Sequence, residues 1–401
     1  MSRTDSRIPT WRTDTRLRLL PTLLGCVVAA LAVGAAMSSL QERETPGAPG
    51  WLATDGLLGR ILGDTNEAQF YGVIPAAVGM MGLALLAHVA AQRRHRLRGF
   101  DISYGTGLLP WVMLAATVGL LLSHLLWGWT RVEDWQPTFV PFVSVPPAIV
   151  LVYGRGLPVA LTGGALGALL ATPLALAAVN FVCVPLGLPN VVGSVTGMWS
   201  GALLAFFICR WLPWMNRPEP PAPSTEPDEP PIPATQPVAA TKVRPTWLPR
   251  RLLADFTEPQ FYGNEWATLG LFAGLFLVWS MDPNTPAYAS GLVPQILTAQ
   301  LLTAALCVWW YADRWQHHGW YPTFVPIVSI VPGAILMFGG GWLVIAVAMV
   351  LGLLIGPPLA QAIINRLPDD FHLFIGSVMS MTVTTLIGVG VLTLLDLAGA
   401  L

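Results

Sequence analysis

The residues best suited to chemistry lie in a heptad that occurs twice, Trp-x-Pro-Thr-Phe-Val-Pro, at 135–141 and at 320–326. Each copy carries a threonine and is followed by a serine, and its last proline removes an amide donor and interrupts a helix. An interrupted helix in a membrane offers backbone groups and hydroxyls to a solute, provided that protein or water surrounds the break. The predicted substrate-binding residues of this motif are Thr138, Pro141, Ser144, Thr323, Pro326 and Ser329. The alternative is a packing kink in which the hydroxyls bond to their own helix.

Two asparagines at equivalent positions add an amide to each copy. Asn180 and Asn365 fall in or at the end of long apolar segments, and an amide in lipid needs a hydrogen-bond partner. We predict that they contact the same solute, with the capping of helix ends as the alternative. The repeated Gly-Ser pairs at 193–194 and 376–377 are typical of close helix packing, with solute contact as the less favoured use.

Acidic residues recur in a second duplicated segment, Asp-x-x-Glu-x-Gln-Phe-Tyr-Gly, at 64–72 and 255–263. We predict that Glu67 and Glu258 act in gating or proton coupling, together with His124, the histidine deepest in an apolar segment. The alternative for the acidic segments is a surface anchor at headgroup depth, where tyrosine and phenylalanine are common.

No pattern in the sequence indicates an enzyme, a cofactor or a metal site. The four cysteines lack CxxC spacing, and the adjacent His317 and His318 have no further ligands near them in sequence. The motifs HExxH and GxSxG and a nucleotide-binding glycine loop are missing. The near-zero net charge of −1 also gives no basis for nucleic-acid binding.

The composition predicts an all-α, polytopic membrane protein. The chain is 54% hydrophobic and only 11% charged, with a mean hydropathy of +0.60. Several runs longer than 18 residues contain no charge, which is the pattern of membrane-spanning helices. Lys242 is the only lysine among 21 basic residues, an arginine bias that fits a GC-rich bacterial genome.

The internal repeat divides the chain into five parts and predicts about eleven transmembrane helices. A leading helix is followed by two five-helix repeats, which a proline-rich segment joins. The parts are a cytoplasmic tail (1–18), a leading helix (19–40), the first repeat (57–212), a proline-rich linker (213–249) and the second repeat (250–395).

An odd number of spans in each repeat predicts that the two repeats lie in inverted topology. Arginines follow the first span of repeat one, at 93–98, whereas the equivalent loop of repeat two, at 282–287, has none. Because basic loops stay in the cytoplasm, this swap favours inversion, with the linker inside and the C-terminus outside. A competing interpretation folds each heptad segment back as a re-entrant hairpin, which gives four spans per repeat and parallel copies.

These patterns favour a secondary transporter or facilitative channel in the plasma membrane, with the lipid bilayer and a small neutral or compact solute as partners. A non-transporting component for lipid handling or complex assembly is the alternative, and a homo-oligomer is compatible with both. The inverted five-plus-five plan resembles several unrelated classes, including amino-acid/sodium symporters, ammonium channels and urea channels. The resemblance is limited to architecture, since their residue motifs are missing here.

Overall fold

The computed structural model describes residues 11–41, 56–130, 137–218 and 244–401, with side chains from residue 15 onward. Regular secondary structure in these ranges is helical throughout. The first ten residues of the predicted tail, Trp135 of the first heptad and residues 219–243 of the predicted linker lie outside the described residues.

The helices follow the apolar runs of the sequence, and we number them in chain order. Their bounds are α1 Trp11–Gln41, α2 Leu57–Asp64, α3 Ile74–Gln92, α4 Leu109–Trp127, α5 Val145–Tyr153, α6 Leu157–Leu186, α7 Asn190–Cys209, α8 Trp247–Asp255, α9 Glu265–Met281, α10 Val293–Trp310, α11 Ala312–His318, α12 Ile330–Phe338, α13 Trp342–Ile364 and α14 Phe374–Leu397. Helix α6 contains two π-helical turns, at Gly167–Ala171 and Val179–Cys183, and Asn180 lies in the second.

Eight of the described helices are long and apolar enough to cross a membrane: α1, α3, α4, α6, α7, α10, α13 and α14. Three shorter apolar helical segments lie at Pro137–Tyr153, Glu265–Met281 and Pro326–Phe338. The chain is therefore an all-helical, polytopic membrane protein, as the composition predicts.

Both heptad segments break at the serine that follows them. Short 3-10 turns precede the breaks, and the backbone leaves the helical region at Ser144 (φ −142°, ψ −109°) and at Ser329 (φ −139°, ψ −92°). The Ser144 hydroxyl donates to the Val140 carbonyl at 2.6 Å, and the Ser329 hydroxyl donates to the Val325 carbonyl at 2.7 Å. At each break, the serine hydroxyl thus forms a hydrogen bond within its own segment.

Helices α3 and α9 cross through glycines at equivalent positions of the two repeats. A Cβ atom on Gly79 would lie 2.2 Å from the Gly270 carbonyl oxygen, and one on Gly270 would lie 2.1 Å from the Gly79 oxygen. One turn later, Gly274 packs against Pro75 and Ala76, so the contacts progress in opposite directions along the two helices. The crossing is antiparallel, and only glycine permits this approach.

Helix α1 packs against the second repeat, although it precedes the first in sequence. A Cβ on Gly34 would collide with the hydroxyl of Thr298 on α10. Near the start of α1, Arg16 lies 3.5 Å from Asp313, and its carbonyl accepts a 2.9 Å hydrogen bond from the Trp309 indole. The leading helix therefore belongs structurally to the second half.

Candidate functional site

A cavity of about 810 Å³ lies between the two repeats, within the part of the chain that the structure describes. This volume falls in the range of small-molecule sites, roughly 300–1,000 Å³. Much of its wall consists of pairs of residues at equivalent positions of the two sequence repeats. The pairs are Glu67 and Glu258, Phe70 and Phe261, Tyr104 and Tyr288, Phe139 and Phe324, Val143 and Val328, Ser194 and Ser377, Val195 and Val378, and Met198 and Met381.

Two tyrosine–glutamate pairs join the repeats across the cavity. The Tyr104 hydroxyl donates to Glu258 Oε2 at 3.1 Å, and the Tyr288 hydroxyl donates to Glu67 in the equivalent contact. Backbone bonds support both: Ser103 N donates to the Tyr262 carbonyl and Ala287 N to the Tyr71 carbonyl, each at 3.2 Å. Each repeat therefore supplies the tyrosine that meets the glutamate of the other.

Glycines at the ends of the two acidic segments let the chain fold back over the glutamates. Gly72 and Gly263 have φ of 61° and 55°, in the left-handed region that favours glycine. A Cβ on Gly72 would lie 3.1 Å from Glu67 Oε2, and one on Gly263 would lie 3.0 Å from Glu258 Oε1. The glycine in each copy of the motif is thus a condition for burying the carboxylate.

Two glutamines at equivalent positions of the repeats form a reciprocal pair of hydrogen bonds. Gln69 Nε2 donates to Gln260 Oε1 and Gln260 Nε2 donates to Gln69 Oε1, both at 2.9 Å. Each amide also donates to a carbonyl of the other repeat, Gln69 to Phe256 at 2.5 Å and Gln260 to Thr65 at 3.0 Å. These bonds satisfy two glutamines that are almost completely inaccessible to solvent.

One arginine holds two carboxylates at the second-repeat side of the cavity. Arg251 Nη2 lies 2.6 Å from both Asp255 Oδ1 and Glu258 Oε1, and the guanidinium packs on the Trp315 and Phe100 rings, 4.6 and 5.6 Å from their centroids. Helix α8, which carries Asp255, is not one of the membrane-crossing helices. Burial raises the pKa of Asp255 to about 6; Arg251 opposes this rise and the charge of Glu258 adds to it.

In the first repeat, a histidine and a threonine are the partners of the equivalent carboxylate. Asp64, the counterpart of Asp255, lies 2.9 Å from His124 Nε2 and accepts a 2.6 Å hydrogen bond from the Thr138 hydroxyl. His124 is thus placed beside a carboxylate, behind the cavity wall rather than in it. Thr323, the counterpart of Thr138, faces Asp255 and lowers its pKa.

The residues predicted from the heptads pack behind the cavity, which the phenylalanine and valine of each segment line instead. Pro141 packs against Gly119 and Gly167, and Pro326 packs against Gly352. Asn180 is partly buried, whereas Asn365 is exposed and accepts a 2.8 Å bond from Gln361. Glu67 and Glu258, by contrast, do line the cavity, with 7% and 4% of their surfaces exposed, so the surface-anchor interpretation does not describe them.

His372 is a further titratable residue of the wall, and the structure places it among aromatic rings. Its ring centroid lies 5.3 Å from that of Phe261 and 6.2 Å from that of Tyr104. Burial lowers the pKa of His372 to about 3, so the imidazole is neutral at physiological pH. It contributes a polar but uncharged group to the cavity.

Sequence reasoning missed the two tyrosines and the glutamine pair. A signal existed, because Tyr104 and Tyr288 occur at equivalent positions shortly before α4 and α10, but the two loops share little other sequence. Within the described ranges, no cluster of three or more histidine, cysteine, aspartate or glutamate side chains could hold a metal ion.

Comparison of the chain with protein-family models, with curated proteins and with solved structures gave no match.

Proposed function

We propose that this protein is a secondary transporter or facilitative channel and that the cavity between the two repeats is its solute site. The observation that carries the proposal is the lining of one cavity by equivalent residues of both repeats. Sites on the pseudo-twofold axis between repeats recur in transporters, because the two halves can open the same site to either side in turn. The cavity then serves for binding and passage, not for catalysis.

Inversion of the repeats is part of the proposal. A twofold axis that relates two antiparallel helices runs perpendicular to them, so it turns one repeat upside down relative to the other. The antiparallel crossing of α3 and α9 at equivalent glycines supports this arrangement, as does the swap of arginines between loops. Eleven spans result when the three shorter segments are counted with the eight long helices. In this topology the N-terminus and the linker are cytoplasmic, and the C-terminus faces outward from a bacterial plasma membrane.

The character of the wall favours a compact neutral solute. Aromatic and aliphatic side chains form most of it. The polar groups include the two tyrosine–glutamate pairs, two serines, the neutral His372, and Asp101, Thr106, Asn190 and Arg251. Both glutamates already accept hydrogen bonds from tyrosines, and Glu258 is also paired with Arg251. A solute with one or two hydrogen-bonding groups and an apolar body suits such a wall.

A bulky substitution in the cavity tests the assignment. Met381 lines the cavity from α14, and Val383, two residues later, is 42% exposed on the outer face. We expect Met381→Trp to reduce the flux of a permeant solute to that of empty liposomes, and Val383→Trp to leave it unchanged. The assay is stopped-flow light scattering of proteoliposomes against a panel of small neutral solutes.

Equal flux in Met381→Trp and the wild-type protein would exclude the cavity as the route. The absence of any permeant solute in the panel, for folded protein, would favour the alternative of a non-transporting membrane component. Topology is tested separately, with single cysteines at Arg98 and Asn284, both exposed. A membrane-impermeant thiol reagent should reach them from opposite sides, and labelling from one side would contradict inversion.

A further inference from the structure

The Arg251 cluster contains one more negative charge than positive charges. Arg251, Asp255 and Glu258 expose only 5%, 1% and 2% of their side chains, and arginine stays protonated at any physiological pH. With both carboxylates ionised, the buried cluster has a net charge of −1. An uncompensated charge in such surroundings is costly, and a carboxyl group ordinarily avoids it by taking up a proton.

No second cation reaches the two carboxylates from the packed elements that the structure describes. The groups that face Asp255 are Arg251 on its own helix, Glu258 in the following loop, the Cys307 thiol on α10 and the Thr323 hydroxyl. On the far side, Glu258 receives only the Tyr104 hydroxyl. The neighbouring Arg250 is paired with Glu265, at 2.6 Å, and so is not available to balance the cluster.

The geometry at Asp255 shows which oxygen can hold the proton. Oδ1 accepts both bonds from Arg251, from Nη2 at 2.6 Å and from Nε at 3.0 Å. Oδ2 is buried and accepts no hydrogen bond of ordinary geometry from the described residues. A carboxyl group with this geometry can take a proton on Oδ2 and keep the hydrogen bonds that Oδ1 accepts from Arg251.

We propose that Asp255 is a proton-binding site, and that its proton sets the charge which Arg251 and Glu258 present to the cavity. Asp255 lies behind the wall, whereas Arg251 and Glu258 line it. When Asp255 is protonated, Glu258 is the only ionised partner of Arg251 and the cluster is neutral. When the proton leaves, two ionised carboxylates compete for the one guanidinium. The link to transport rests on the function proposed above, and would make that transport proton-coupled.

The first repeat supplies the physical contrast. Its equivalent carboxylate, Asp64, has His124 in place of an arginine and a hydrogen bond from Thr138. The two halves therefore hold carboxylates at equivalent positions with different partners: a guanidinium in the second repeat, and an imidazole and a hydroxyl in the first.

Infrared difference spectroscopy of the whole protein in lipid nanodiscs, titrated with acid, measures the proton directly and needs no solute. We expect the carbonyl band of a protonated carboxylic acid to appear with a midpoint near pH 6. Asp255→Asn should remove this band. Glu258→Gln should move its midpoint to lower pH, because the neighbouring negative charge is one of the causes of the raised pKa.

Asp370→Asn is the control, since Arg210 holds the pKa of that carboxyl below its ordinary value and its removal should leave the band unchanged. Both test variants leave the cluster with one positive and one negative charge, so both should fold; if Asp255→Asn does not, the shift in Glu258→Gln decides. The proposal is overturned if the wild-type protein shows no band, or if the band survives in Asp255→Asn. A normal titration together with flux that Met381→Trp does not block would instead refute the transport function and leave the proton site standing.

Discussion

Substitution of Gln69 and Gln260 tests whether their reciprocal hydrogen bonds stabilise the contact between the two halves. Substituting Gln69 by alanine removes the donor to Gln260 Oε1 and the donor to the Phe256 carbonyl, and leaves both acceptors buried. Gln260→Ala does the equivalent to Gln69 Oε1 and the Thr65 carbonyl. By pseudo-symmetry, the two single variants should be destabilised to a similar extent.

The expected magnitudes follow from counting acceptors that lose their donors. A buried polar group without a partner costs about 1–3 kcal/mol, so each single variant should lose about 2–6 kcal/mol of unfolding free energy. In the double variant both side-chain oxygens are gone, and only the two carbonyls lack donors. The double variant should therefore be about 2–6 kcal/mol more stable than the sum of the single effects implies.

Unfolding in detergent micelles can be followed by intrinsic fluorescence, because the chain contains 17 tryptophans. Gln361→Ala is the matched control: its amide makes only a solvent-exposed bond to Asn365, and we expect a change within about 0.5 kcal/mol. Additive effects of Gln69→Ala and Gln260→Ala would refute the reciprocal pair. So would single variants as stable as the control.

Three further outcomes are expected from the same unfolding assay. Gly270→Ala should reduce the unfolding free energy by about 1–3 kcal/mol or more, because its Cβ would meet the Gly79 carbonyl oxygen. Gly390→Ala, where a Cβ would meet open space, should be neutral or stabilising. Equal effects of the two substitutions would contradict the close crossing of α3 and α9. Thr138→Val should lose about 1.5–3 kcal/mol with the charge-assisted bond to Asp64, and an unchanged midpoint would show that this bond contributes nothing. Folding raises the pKa of Asp255 from 3.8 to about 6, so the contribution of this group to stability should be fully present below pH 3.8 and be lost as pH rises through about 6. The loss relative to Asp255→Asn should be about 3 kcal/mol, and parallel pH profiles would refute it.

The membrane class and the breaks of the helices could be predicted because their causes are local. A run of apolar residues is costly in water wherever it occurs, and α13, Trp342–Ile364, lies within a long uncharged stretch of the sequence. Proline likewise acts on its own turn, so the breaks near Pro141 and Pro326 could be read from the sequence, although the structure places them three residues later, at the serines.

The lining of the cavity could not be predicted, because the partners are far apart in sequence. Nothing local distinguishes Glu258 as the acceptor of Tyr104 from a surface carboxylate, and the contact spans 154 positions. The sequence predicts that the heptad hydroxyls bind the solute, yet Thr138 bonds to Asp64, whereas the adjacent Phe139 lines the cavity. Side-chain direction along a broken segment depends on the backbone at the break, which residue types alone do not determine.

The exchange of hydrogen bonds between the halves has a consequence for biogenesis. Gln69 and Tyr71 are synthesised well before Gln260, Phe256 and Gln300, the second-half residues that satisfy their side chains. Until the second half is synthesised, the amide of Gln69 and the hydroxyl of Tyr71 lack the hydrogen-bond partners that they have in the folded protein. Expressed alone, the first half should be recognised as incomplete and degraded; coexpressed with the second half as a separate chain, it should accumulate.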